Sequence, residues 1–270
     1  MEYREYFKLA RQSYSSDKIP SFDLFYADPV KRVPTESFSS KYTKSVDHIS
    51  NRVKLYFDAN PTSKILNWYP SFLDFQDQLE TICKELVPWL EQNTYGCHLF
   101  VDKIYIYRTS EMQNRESSYR WHYDNNPTEI VKNILYLNDV SKTNSPFEYL
   151  ADKQQKRGVV FKATRTGPDN WNGAPNNSRI DNIVTELIDQ NTHEAVQVLG
   201  SKGTMYSFNN DAAHRANPVI EGYRDVINIR VKPTTTKPPI YIDKKWTTDN
   251  KVSGVVDPDP EKDWKYYDKL

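Results

Sequence analysis

His122 and Asp124 stand one residue apart in the stretch SSYRWHYDNNP, and the chain has only five histidines to place. In an extended segment residues i and i+2 share a face. The two side chains can therefore turn toward one ion while Tyr123 faces away. Taken alone, the pair is a weak signal that reads first as an ordinary polar pair and only second as two-thirds of a metal site. A chain of this composition should contain roughly 0.4 such H-x-D matches by chance.

The rest of the chain supplies what the pair lacks. In GTMYSFNNDAAHRANPVIEGYRDVINIRV a glycine turn leads into a strand, a polar loop, His214, and a final strand that opens with Arg224. Two histidines and one carboxylate on one side of an ion, with the remaining positions open, form the facial triad of non-haem Fe(II) oxygenases. The open positions matter because a co-substrate and O2 must be admitted together. Arg224 offers a planar fork suited to a carboxylate. On its strand it shares a face with Val226, Asn228 and Arg230, and Ile227, Ile229 and Val231 form the opposite, apolar face. His48, His98 and His193 lie in contexts that read as structural or solvent-facing.

Elements must hold these residues in place. Residues 1–70 lack clean periodicity and read as short helices and extended segments wrapped on a core. From residue 70, Phe72, Phe75, Leu79, Ile82, Leu86 and Leu90 recur every three or four positions, the mark of an amphipathic helix. Pro88 should kink or divide it, and Gly96 should stop it. Beyond Gly96 the pattern turns β-branched and aromatic: HLFVDKIYIYRT, SYRWHYD, EIVKNILYLNDV and RGVVFKATR read as strands. Thr166–Asn182, crowded with Gly, Pro and Asn, reads as a long loop. NIVTELIDQNT suggests a short helix. Strands resume in EAVQVLG, TMYSF and RDVINIRV. Helices first and seven or more strands after them indicate a β-sandwich or jelly roll braced by helices.

Composition narrows the field. With 36 basic and 36 acidic residues among 270, the chain has no bulk electrostatic drive toward nucleic acid. Two cysteines, Cys83 and Cys97, are too few and too separated for a disulfide framework or a zinc cluster, and read as buried reduced thiols. The N-terminus is charged from its second residue and lacks the apolar core of a signal peptide. No apolar stretch is long enough to span a bilayer. The expectation is a soluble, cytoplasmic protein with a small-molecule substrate, without nucleic-acid or membrane partners. Its oligomeric state is not legible.

The segments WHYDNNP…KNILYLNDV, GTMYSF…HRANP and RDVINIRV together resemble the Fe(II)/2-oxoglutarate-dependent dioxygenases, and among them the phytanoyl-CoA hydroxylase-like group. The resemblance covers about residues 98–232. It implies a mainly β fold with flanking helices (α+β overall) around a double-stranded β-helix, the jelly-roll core of cupin-like proteins. By the same resemblance His122, Asp124 and His214 would ligate Fe(II), and Arg224 would pair with the far carboxylate of 2-oxoglutarate. The domain expected is single, spanning 1–270: mostly helical support over 1–97, the β-helix over 98–232 and an extended tail over 233–270.

One position departs from the pattern. Relatives often carry a hydroxyl residue two positions after the distal histidine, where this chain has Ala216. Tyr136 or Thr204 is the expected replacement, and Lys132 is an alternative carboxylate partner for the co-substrate. The reaction implied is hydroxylation of an unactivated C–H of a metabolite, consuming O2 and releasing succinate and CO2. Alternatives on the same chemistry are a protein or peptide hydroxylase, a desaturase or a cyclase. From other classes come a non-catalytic cupin-like binding protein and a metal-assisted hydrolase, for which no general base is evident. The 166–182 loop is expected either to cover the substrate side of the metal, with Arg165, Trp171 and Arg179 as substrate contacts, or to be a disordered surface insertion.

Overall fold

The computed structural model describes residues 3–15, 19–27, 29–62, 66–110, 117–124, 126–161 and 179–242. In chain order its elements are α1 (Tyr3–Gln12), α2 (Phe22–Ala27), β1 (Val30–Val33), α3 (Ser40–Ala59), β2 (Leu66–Trp68), α4 (Gln76–Leu90), β3 (His98–Ser110), β4 (Val131–Tyr136), β5 (Phe147–Asp152), β6 (Arg157–Gly158), α5 (Asp181–Asp189), β7 (His193–Val198), β8 (Met205–Asn209), β9 (His214–Ala216) and β10 (Tyr223–Thr234).

Two antiparallel sheets carry the architecture. The larger runs β1-β8-β4-β10-β3-β2. In the smaller, β5 lies between β7 and the pair β6 and β9, and the 120–124 segment adds to β9 through His122. Following the chain, β3 lies in the large sheet, 120–124 in the small, β4 in the large, β5 and β7 in the small, β8 in the large, β9 in the small and β10 in the large. That alternation winds a double-stranded β-helix, closing two sheets face to face as in jelly rolls.

Hydrophobic alternation explains the layers. On β10, Ile227, Ile229 and Val231 enter the main core with the helices, and Val226 enters the space between the sheets with Ile134, Tyr136, Phe147, Val198 and Phe208. Each strand face thus buries a different cluster, as period-2 patterning requires. The helical side is larger than the sequence indicated. Tyr42, Val46, Ile49, Val53 and Phe57 lie on the buried face of the 20-residue α3, where only short helices were expected. Their spacing of three and four is helical, but it is diluted by polar residues and its apolar stripe is narrow.

α4 forms as expected, burying Leu79, Ile82, Cys83, Leu86, Val87 and Leu90. Pro88 does not divide it. The helix passes through Pro88 to Leu90 and opens into a π turn over Glu91–Tyr95. Proline removes one N–H from the i→i−4 ladder, and a wider turn is one way a helix absorbs such a fault. Gly96 then ends it at φ +65°, a left-handed conformation that suits glycine. The free thiols of Cys83 and Cys97 are buried.

Among the described residues no helix is long and apolar enough to cross a membrane. After β10 the chain lies against α4, where Glu80 Oε2 accepts from the backbone N–H of Tyr241 and of Ile242, each at 2.9 Å. The remainder of the 233–270 tail lies outside the described residues.

Candidate metal centre and its cavity

The 120–124 segment is strand-like but joins the small sheet at a single residue. His122 N–H donates to the His214 carbonyl at 3.0 Å, and His214 N–H returns a bond to the His122 carbonyl at 2.9 Å. This reciprocal pair sets the two imidazoles side by side on one face, with centroids 4.3 Å apart. One further bond, from Asp124 N–H to the Asn210 carbonyl at 2.9 Å, fixes the carboxylate on the same face. One ligand atom from each of His122, Asp124 and His214 lies within 4.8 Å of the others.

The ring orientations follow from the backbone. His122 Nδ1 lies 2.8 Å from the Arg120 carbonyl, and His214 Nδ1 lies 2.7 Å from the Ala212 carbonyl. A carbonyl only accepts, so the neutral rings carry their protons on Nδ1 and present the Nε2 lone pairs. Such a second contact is what metal-binding histidines use to fix tautomer and direction. Burial pushes the His122 pKa down to about 3, with His214 adding to the effect, and burial lowers His214 as well. Both are neutral, metal-ready bases at physiological pH. For Asp124 burial works upward, but Lys132 and the two histidines outweigh it and hold the carboxyl well below the usual range.

Lys132 is the contact that fixes this carboxylate, with Nζ donating to Asp124 Oδ2 at 2.5 Å. In the structure the carboxylate that Lys132 meets is the metal-ligand candidate itself.

These residues open onto a cavity of about 110 Å³, lined also by Leu66, Tyr107, Ile134, Phe147, Phe208, Ala216, Arg224 and Asn228. Arg224 is 2% exposed, and its Nε and Nη1 have no hydrogen-bond partner. Among the described residues its one hydrogen bond is long, 3.4 Å from Nη2 to Thr109 Oγ1. A buried guanidinium left this way is expensive and fits an anion entering the cavity. The donor set fits a divalent metal equally well: two neutral imidazoles and one carboxylate with positions left over.

Tyr136 and Thr204 are not in the cavity lining. Tyr136 Oη donates to the Val198 carbonyl at 2.7 Å, so its hydroxyl is committed to joining the sheets. Thr204 packs in the turn before β8, close against Gly200. The hydroxyl groups near Arg224 come instead from β3. Thr109 stands opposite Arg224 in register, and Tyr107 and Asn228 both line the cavity. Sequence reasoning missed both hydroxyls, although Tyr105, Tyr107 and Thr109 alternate with Ile104 and Ile106 and so mark an inward polar face.

Arg179 is brought beside His122 as its antiparallel bridge partner. Arg165 and Trp171, and the loop from Thr166 to Ser178, lie outside the described residues. The last residues assigned to that loop, Asp181 and Asn182, belong to α5. His98 stands by Glu91 and His193 by Asp152, and neither joins the cluster.

No family model matches the chain, and no curated protein sequence does. Similar solved structures include HygX from Streptomyces hygroscopicus with nickel and 2-oxoglutarate bound, at 14% identity, 81% of this chain, 89% of that one and a TM-score of 0.49. The epimerase SnoN in complex with Fe3+, alpha ketoglutarate and nogalamycin RO is similar at 15% identity over 80% and 84%, with a TM-score of 0.47. EctD from S. alaskensis with bound Fe is similar at 14% identity over 83% and 82%, also at 0.47. At these scores the chemistry of the site has to be read from this chain's own residues.

Proposed function

We propose that the protein is a non-haem Fe(II)/2-oxoglutarate-dependent oxygenase that hydroxylates an unactivated C–H bond of a small-molecule metabolite, within a single catalytic domain. The observation that carries this reading is the meeting of two features in one cavity. Three metal-ligand candidates converge within 4.8 Å, and a buried arginine with unpaired donors faces the same space.

His122 and His214 would hold the metal through Nε2, and Asp124 through a carboxylate oxygen while Lys132 keeps the other oxygen in place. Arg224 would receive the far carboxylate of 2-oxoglutarate in a charge-assisted, bidentate pair. Asn228 and Tyr107 line the same part of the cavity with polar atoms. Phe147, Phe208 and Ile134 form apolar walls, which exclude water and strengthen each charge interaction inside. Bound iron, with 2-oxoglutarate and O2, supplies the oxidising power, and the coupled reaction releases succinate and CO2. Asp124 fills the third protein ligand position, which favours hydroxylation over halide transfer.

The test is substrate-stimulated succinate formation across a metabolite panel, with mass spectrometry for the gain of one oxygen in the product. His214→Ala should abolish both signals. Succinate formation that survives in His214→Ala would refute the metal assignment. Loss of two hydrogens in the product would instead identify a desaturase or cyclase on the same site.

A further inference from the structure

From the polar groups that line the cavity we infer that Asn228 is a substrate-specificity residue, and that the substrate presents a hydrogen-bond donor, a hydroxyl or an N–H, to its side-chain oxygen. The inference rests on the oxygenase reading above. Asn228 lines the cavity and is 7% exposed, and its Oδ1 is buried with no hydrogen-bond partner among the described residues. Asparagine is disfavoured in strands, and β10 lies inside the large sheet, between β4 and β3. Asn228 stands opposite Ile134 on one side and Tyr105 on the other. Val226, two residues earlier on the same face, packs with the apolar cluster between the sheets. A carbonyl oxygen buried and left open on such a face is costly, and a donor on a ligand would satisfy it.

The cavity's own donors are committed elsewhere. Lys132 Nζ donates to Asp124 at 2.5 Å, and Arg215 Nε donates to Glu148. The Nδ1 protons of His122 and His214 go to the carbonyls of Arg120 and Ala212. Tyr107 and Ser118 bring hydroxyls to the lining, and neither donates to Asn228 Oδ1. Arg224 has open donors, but it lies four residues back along β10, roughly 13 Å in an extended strand.

The register sets Asn228 nearer the metal ligands than Arg224. Lys132, which holds Asp124, stands opposite Arg230, the next residue after Asn228 on this face. 2-Oxoglutarate anchored on Arg224 brings only acceptors toward the metal, a ketone and a carboxylate, and O2 brings no donor. Those oxygens would repel the oxygen of Asn228. Water can satisfy it until the substrate arrives, and a group that displaces an ordered water has to reproduce its hydrogen bond. The donor therefore comes with the substrate. Phe147, Phe208 and Ile134 wall the same space. The substrate class is thus a small metabolite with an apolar body and an O–H or N–H close to the C–H bond attacked, rather than a plain hydrocarbon chain.

The experiment uses the full chain under argon, loaded with Mn(II), which does not turn over and which relaxes the NMR signals of small molecules nearby. 2-Oxoglutarate is titrated first, by calorimetry, to saturation. Three probes of similar size are then compared by proton relaxation over a concentration series: propan-2-ol with its O–H, acetamide with its N–H, and acetone, which has no donor. In wild type at least one of the two donors should approach the metal saturably and at least about tenfold more tightly than acetone. The one preferred identifies the hydroxyl or the N–H. Asn228→Leu should erase the preference while 2-oxoglutarate affinity stays within about twofold, and Asn228→Asp, which keeps an acceptor, should retain part of it. Four results would overturn the inference. They are wild type with no preference for a donor over acetone, whether or not the probes bind; a preference that survives in Asn228→Leu; Asn228→Asp that behaves as Asn228→Leu does; and Asn228→Leu that loses 2-oxoglutarate affinity, which would turn the amide round and give it to the co-substrate. Failure of the oxygenase reading is separate, and shows as wild-type protein that does not take up 2-oxoglutarate in the first titration.

Discussion

Strand β10 carries two buried arginines on one face, six residues apart, and they are treated in opposite ways. Arg230 Nε lies 2.9 Å from both carboxylate oxygens of Asp102, and Lys232 Nζ lies 2.9 Å from Asp102 Oδ2. The bulge in β3, where the register slips opposite Arg230 and Val231, brings Asp102 to these two cations. Arg224 at the other end has nothing comparable among the described residues, where Nε and Nη1 are unpaired. Asp225, its neighbour in sequence, is bound by Arg108 Nε and Nη2 at 2.6 and 2.7 Å. A carboxylate is thus close by in the chain and points the other way. Burying a charge with its counter-charge is a structural device. Burying it without one costs stability and is tolerated where a ligand supplies the partner.

The comparison can be broken most severely at Asp102. Asp102→Ala removes the buried carboxylate that Arg230 and Lys232 share and should cost about 3–5 kcal/mol, read as a lower denaturant midpoint or loss of soluble protein. A shift as large in ligand-free Arg224→Gln would erase the distinction, since that substitution should leave stability unchanged or slightly raised.

The next effect concerns the metal. Lys132→Met removes the contact that orients Asp124 and should weaken Fe(II) binding by about 10–100-fold, with Lys132→Arg restoring part of it. Competition with a chelating dye measures this. An unchanged metal affinity, with 2-oxoglutarate affinity lost instead, would return Lys132 to the co-substrate.

Acid should separate the two regions. His122 is neutral in the fold down to about pH 3, whereas the unfolded chain takes its proton near 6.5. Below 6.5 the unfolded state binds more protons, so the metal-free protein loses about 1.4 kcal/mol per pH unit from this histidine. His214 adds in the same direction. Asp102 is pushed up by burial, but Arg230 and Lys232 hold its folded pKa down to about 2. Its contribution is present above the unfolded carboxylate pKa and is lost only as pH falls from about 4 toward 2. The difference in denaturant midpoint between wild type and His122→Asn should therefore shift against wild type from pH 7 through 6 to 5.

The smallest effect lies at the rim. Asp58 binds Arg108 at 2.6 Å, but its side chain is 42% exposed. Asp58→Asn should cost at most about 1 kcal/mol, which double-mutant analysis with Arg108 would resolve.

How much of this was legible varied with the kind of signal. The convergence of His122, Asp124 and His214 was legible because the chain has only five histidines and an i, i+2 carboxylate beside one of them can share its ion. The alternation on β10 was legible because both its faces are buried, one polar and one apolar. β5, the central strand of the small sheet, was missed: FEYLAD is short, and its outward face carries Glu148, which pairs with Arg215 at 2.5 Å. The 120–124 strand was overread. Its residues favour an extended backbone, but only His122 finds ladder partners. The bond from Tyr136 Oη to the Val198 carbonyl was not foreseen, because strand parity fixes the face on which a hydroxyl lies and not the group it meets.

The central claim is that Arg224 is unpaired because 2-oxoglutarate completes it. The direct measurement is an anaerobic calorimetric titration of 2-oxoglutarate into Fe(II)-loaded wild type and Arg224→Gln. Wild type should bind stoichiometrically. The variant should lose about 2–5 kcal/mol of binding free energy, roughly 30-fold to several thousand-fold in affinity, while its Fe(II) affinity is unchanged. Equal 2-oxoglutarate affinity in the two proteins would contradict the account.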